Sequence, residues 1–174
     1  MSVEIPTLSR ERLVRWDDPT ALADAGRTMS GRAFLEAMLH GDLSSPPICH
    51  LVDFAISGVG DGQVDMTLTP QESQYNPIGS VHGGVIATVL DSVMGCAVHT
   101  RLPAGRGYTT LEIKVNYLRG VTRDIGPMTA AGRVVHLGGR TAVALASLSD
   151  KTGRLYAEAS TTCLIFDLPS TAAA

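Results

Sequence analysis

The stretch Asn76 to Asp91, NPIGSVHGGVIATVLD, holds the residue types whose spacing could do chemistry in this chain. Gly83 and Gly84 fall where a loop gives way to a long apolar segment, and glycines there cost a helix about 1 kcal/mol each relative to alanine. What they offer is bare backbone N–H groups at the positive end of a helix. Such a place stabilises negative charge developing on a carbonyl oxygen under attack. The same pair also serves plain close packing where a chain enters its core, so the glycines alone leave both readings open. Asp91 bears on the choice. It interrupts an apolar run from Val85 to Val98, and a carboxylate there is expensive unless it is paired or put to use. At about 3.6 residues per turn, Ala87, Asp91 and Gly95 share one stripe, which leaves room for a substrate or for a second helix. A catalytic acid and an acid hydrogen-bonded across a dimer interface both fit these residues.

His82 stands nine positions before Asp91, about half a revolution away on a continuous helix. The two side chains therefore face opposite ways within one chain, and His82 is expected to orient the loop or to meet a partner subunit. His40, His50, His99 and His136 add no metal-ligand spacing, so no metal site is expected. Gly58-x-Gly60-x-Gly62 lacks the following helix of a phosphate loop and reads as a hairpin turn. Cys49, Cys96 and Cys163 sit in apolar stretches without CxxC spacing, as reduced core thiols of a cytoplasmic protein do.

The elements that must position these groups follow from periodicity and turn chemistry. Residues 1–45 read as a helical extension. Within it Ser9–Arg15 and Pro19–Arg27 are short polar helices, and Gly31–His40 is an amphipathic helix stopped by Gly41. Ile48–Ser57 and Gln63–Thr69 read as strands joined by a turn over Gly58–Gly62. A long helix spans about Ser80 to Thr100. Four more strands follow, near Tyr108–Leu118, Met128–His136, Thr141–Ser149 and Leu155–Phe166. The pattern predicts an α+β domain over 46–168, about six antiparallel strands wrapped around one central helix, with a flexible tail at 169–174. Such a sheet leaves a face and its edges uncovered, and dimerisation is the economical cover.

Composition narrows the function classes. The 174 residues are 44% apolar, enough for one core without disulfide or metal staples. A net charge of −3, with no basic block, argues against nucleic acid or an anionic membrane as a main partner. No window reaches the roughly 18 apolar residues of a membrane span, and the first thirty residues carry no secretory signal.

Asn-x-x-Gly-x-x-His-Gly-Gly with an acid nine residues after the His resembles the hotdog-fold thioesterases, closest to the PaaI-like and 4-hydroxybenzoyl-CoA thioesterase group. The resemblance covers roughly Ile48 to Asp167. It includes Tyr108–Leu118 as the strand after the central helix and His136-Leu137-Gly138-Gly139-Arg140-Thr141 as a loop near coenzyme A. It implies an acyl-CoA substrate of aryl or medium chain length, cleaved by water to the acid and CoA, with no cofactor. Asp91 matches the family's nucleophile or general base. Gly83 matches the residue whose N–H polarises the thioester carbonyl, Asn76 the positioning amide, and Thr110 a hydroxyl near the acid. His82, Gly84, Gly139, Arg140 and Thr141 are the substrate-binding candidates; CoA phosphates need cations on the rim, and Arg140 is the first candidate with Arg106 and Arg119 behind it, against the alternative of ordinary solvated charges. In the family Asn76 and Gly83 come from one chain and Asp91 and Thr110 from the other. A homodimer at least is implied, and the family usually pairs dimers into tetramers. Relatives commonly carry a proline after the third strand, where this chain has Arg119-Gly120-Val121. A non-catalytic acyl-CoA-binding module is the competing reading, and a hotdog hydratase ranks below it because the Gly-His-Phe-Pro type of loop is missing.

Overall fold

Alternation of apolar and polar residues builds one sheet. Its strands are β1 (Phe54–Gly60), β2 (Gln63–Leu68), β3 (Arg106–Tyr117), β4 (Met128–Leu137), β5 (Thr141–Asp150) and β6 (Leu155–Asp167). They lie in the order β1-β2-β4-β5-β6-β3, with every neighbouring pair antiparallel. This computed structural model describes residues 9–169.

The inner face of the sheet carries Val64, Met66 and Leu68 on β2, Met128 and Ala130 on β4, and Ala142, Ala144, Ala146 and Leu148 on β5. These residues close over helix α4 (Gly83–His99), which buries Ile86, Val89, Leu90, Val93, Met94, Ala97 and Val98. Burial of each larger side chain is worth about 1.5–3 kcal/mol, so this contact dominates the core. The small residues on β4 and β5 let the helix come close. At Gly132 an added Cβ would lie 2.5 Å from the Val93 carbonyl oxygen, so only glycine fits where β4 crosses α4.

Two helices precede the sheet at the expected places. Helix α1 (Pro19–Thr28) starts at Asp18, whose side chain accepts from the Thr20 N–H, and α2 (Gly31–His40) ends at Gly41 in the left-handed region. Leu35 on α2 is buried in the same core as the sheet. Three expectations need correction. Ser9–Arg15 is not helical; it has no continuous apolar face, and Arg12 instead donates to the carbonyls of His50 at 2.8 Å and Leu51 at 3.0 Å. The strand expected over Ile48–Ser57 is a short helix, α3 (Pro47–Val52), followed by β1. Pro47 starts that helix, Asp53 ends it with φ 65°, and Cys49 and Val52 face inward at helical spacing. The turn expected over Gly58–Gly62 shrinks to Asp61-Gly62, because β1 runs on to Gly60 past a bulge after Ile56. The expected tail lies outside the described residues except for Pro169, as do residues 1–8 of the extension. Among the described residues, no helix is long and apolar enough to cross a membrane.

Candidate active site

His82 is the N-cap of α4, and its Nδ1 accepts the Gly84 N–H at 2.9 Å. An accepting Nδ1 carries no proton, so the neutral ring has its proton on Nε2. The carbonyl of the same glycine peptide, Gly83 O, accepts the Tyr117 hydroxyl at 2.9 Å. The Gly83–Gly84 peptide is thus held at both ends. Gly83 itself is the first residue of the helix, where an N–H has no intrahelical acceptor. It borders a cleft of about 290 Å³ together with Asn76, Ser80, Ile86, Tyr117 and Arg119. The Asn76 side chain shapes the loop beside that cleft. Its Oδ1 accepts from the Ile78 and Ser80 N–H groups at 3.1 and 3.2 Å, and its Nδ2 donates to Ser80 Oγ at 3.1 Å.

Asp91 lies two turns along α4, about 12 Å beyond Gly83. It is half-buried, and Thr110 Oγ1 on β3 donates to its Oδ1 at 2.8 Å. A β-bulge marks this place, since the pairing of β3 with β6 passes from Thr110 to Glu112 and leaves Leu111 as the extra residue. The thiols nearby are inert: burial pushes Cys96 up to about 12 and also raises Cys163. That leaves the Asp91 carboxylate as the candidate nucleophile or base among these groups. One chain brings Asp91 to Thr110 and Asn76 to Gly83, but it does not bring the two pairs together.

The hairpin between β4 and β5 carries Gly139, Arg140 and Thr141. Thr141 pairs with Leu164, which pairs with Thr109. The hairpin therefore stands two strands, about 10 Å, from the Thr109-Thr110 step. Arg106 Nη2 donates to the Gly139 carbonyl at 3.0 Å while its Nε faces Asp167 at 3.1 Å, and Arg119 donates to the Leu155 carbonyl. The exposed Arg140 side chain has no ion pair or hydrogen bond among the described residues.

The sequence profile of the thioesterase superfamily matches residues 78–157, the stretch that holds the His-Gly-Gly junction, α4 and strands β3 to β5. Over these residues the chain is similar to this superfamily, and it has the hotdog fold. It is 25% identical over 104 residues to the 1,4-dihydroxy-2-naphthoyl-CoA hydrolase of Escherichia coli, covering 60% of this chain and 75% of that protein. A phenylacetic acid degradation-related protein of Ralstonia eutropha superposes with a TM-score of 0.68 at 26% identity, over 75% of this chain and 98% of that one. A hypothetical thioesterase protein of Streptococcus pneumoniae, solved with coenzyme A, superposes at 0.60 with 28% identity, over 67% and 88%. The resemblance read from the Asn76–Asp91 spacing is borne out for family and fold.

Within this thioesterase-superfamily fold, Tyr117 is the site residue that the sequence reading missed. The Leu111 bulge explains why. Up to Thr110 the even positions of β3, Tyr108 and Thr110, face the helix; past the extra residue the odd positions do, so Ile113 and Val115 join the core side. Strict alternation from Thr110 puts Tyr117 on the outer face. The bulge turns it inward, and its hydroxyl reaches Gly83.

Proposed function

We propose that this protein hydrolyses acyl-CoA thioesters, of aryl or medium chain length, to the free acid and CoA at a site shared between two copies. Water supplies the hydroxyl of the acid and the proton of the released thiol. The observation that carries this reading is the Asp91 carboxylate, held on an apolar helix by the Thr110 hydroxyl in a thioesterase-superfamily fold. Asp91 acts on the thioester carbonyl directly or through a water that it deprotonates. The Gly83 N–H of the other copy, at the positive end of α4, takes the oxyanion. The separation of Asp91–Thr110 from Asn76–Gly83 within one chain supports sharing, because a second copy supplies the missing half to each.

His82 and Tyr117 hold the glycine peptide, Asn76 shapes the loop at the oxyanion end, and Arg140 on the hairpin with Gly139 and Thr141 meets the CoA phosphates. The dimers pair further into a tetramer in the cytoplasm. Free-thiol release from a panel of acyl-CoAs tests the reading. Turnover by the wild type that falls ~10²–10⁴-fold in Asp91→Asn supports it. Full activity in that variant overturns the role of Asp91, and binding without release from any ester overturns hydrolysis in favour of a binding module.

A further inference from the structure

The Thr110–Asp91 bond pins β3 to α4 at the carboxylate. One turn further along α4, about 6 Å beyond Asp91, stands Gly95. Two residues back along β3, on the same face as Thr110, stands Tyr108. A Cβ on Gly95 would come within 2.5 Å of Tyr108 Cε2 and 2.7 Å of its hydroxyl oxygen. The phenol therefore rests on bare helix backbone, in the space a side chain at position 95 would take. His99 braces it from the next turn, ring centroids 5.6 Å apart and tilted by 51°. Cys163 pairs across from Thr110 on β6. Burial keeps both the phenol and the neighbouring Cys96 thiol protonated. Tyr108 as a residue is half-buried, on the strand β3 that forms one edge of the sheet.

The geometry points to Tyr108 as the end wall of the acyl pocket. An acyl group whose carbonyl carbon sits at Asp91 and whose far end points along α4 toward Gly95 meets this ring after one helical turn. The wall admits a single ring or a straight chain of about six carbons, the length of that turn, and refuses longer chains. Glycine in a helix interior is less favourable than alanine. At position 95 that penalty seats an aromatic ring beside the reacting carboxylate, on a strand already locked to the same helix. The inference rests on the thioesterase reading above and adds to it the residue that limits chain length.

The test compares hexanoyl-CoA with decanoyl-CoA as substrates, and the non-hydrolysable thioethers S-hexyl-CoA and S-decyl-CoA as ligands measured by calorimetry. Wild type, Tyr108→Ala, Tyr108→Leu and Tyr108→Phe are compared. Removing the ring is expected to raise the decanoyl-to-hexanoyl ratio of kcat/KM about tenfold or more, the scale on which pocket walls discriminate chain length. The thioether affinity ratio should move in parallel, and Tyr108→Phe should leave both ratios unchanged. Tyr108→Leu keeps an apolar side chain against Gly95 and stands in if the alanine variant does not fold. Unchanged ratios in folded Tyr108→Ala or Tyr108→Leu overturn the inference. A wild type that binds the thioethers but cleaves no ester overturns hydrolysis alone, and the affinity ratio still decides the wall. A wild type that binds neither overturns both.

Discussion

Thr110 Oγ1 stands 2.8 Å from Asp91 Oδ1 and joins the edge strand β3 to the central helix at its acid. A hydrogen bond to a charged group is worth about 1.5–3 kcal/mol when neither partner is free to turn to water. This bond fixes which carboxylate oxygen stays available, because Oδ1 already has a donor.

Thr110→Val keeps the shape and removes the donor. It should lower kcat by about tenfold, the loss of one charge-assisted bond, and lower the melting temperature by several degrees as the tie between β3 and α4 is lost. Thr110→Ser should restore most of the rate. Steady-state kinetics of the three proteins check this, and equal rates for valine and threonine would deny the hydroxyl a role.

Tyr117 acts at the other half of the site, through the Gly83 carbonyl. Tyr117→Phe frees one end of the glycine peptide while leaving the ring in place. The expected result is a fall in kcat of several-fold to tenfold with KM nearly constant, because Gly83 loses the anchor on its carbonyl, and the orientation of its own N–H, on the preceding peptide, matters most when charge appears on the thioester oxygen. A change confined to KM would assign the hydroxyl to substrate binding instead.

Much of this architecture was legible in the residues. The alternation of Val64, Met66 and Leu68, and the turns at Gly138-Gly139 and Asp150–Gly153, placed β2, β4, β5 and β6 within a residue. The acid in the apolar helix stood out because its burial has a known penalty. Helix α3 did not show. Six residues are too few for a period to declare itself, and only the Pro46-Pro47 pair hinted at a helix start. The Leu111 bulge is invisible for a different reason: it is a property of the pairing between β3 and β6, and no local residue choice announces it. Everything that depends on the swap of faces beyond it, Tyr117 included, follows only from the register.

Arg140, proposed above to meet the CoA phosphates, has no side-chain partner among the described residues, whereas Arg106 and Arg119 are engaged with Gly139, Asp167 and Leu155. Arg140→Glu should raise KM for CoA thioesters well above its effect on short thioesters of N-acetylcysteamine, which lack the phosphates. The gap should close at high salt, since exposed charges are screened within about 10 Å at 0.1 M. An equal effect on both substrates would show that Arg140 does not read the nucleotide.

His99 packs between Phe34 and Tyr108, and burial lowers its pKa below 6.5. In the window between that lowered value and 6.5, the unfolded chain binds a proton that the folded chain refuses. Stability therefore rises with pH through this window: the contribution is complete above 6.5 and is lost as pH falls through the folded value. Melting temperature should drop between pH 7.5 and 5.5, and His99→Phe should flatten that drop. An unchanged slope in the variant would remove His99 from the account.

The central claim is a site in which Asp91 of one copy works with the Gly83 N–H of another. Gly83→Pro deletes that N–H at the first helical position, where proline is tolerated, and His82 at ψ 136° already has the extended backbone that a following proline requires. Gly83→Pro and Asp91→Asn should each be inactive alone, in free-thiol release from the best acyl-CoA. Co-expressed in equal amounts, they should recover roughly a quarter of wild-type turnover, since random pairing puts half the chains in mixed dimers with one intact site each. A mixture as inactive as its two parents would contradict the shared site.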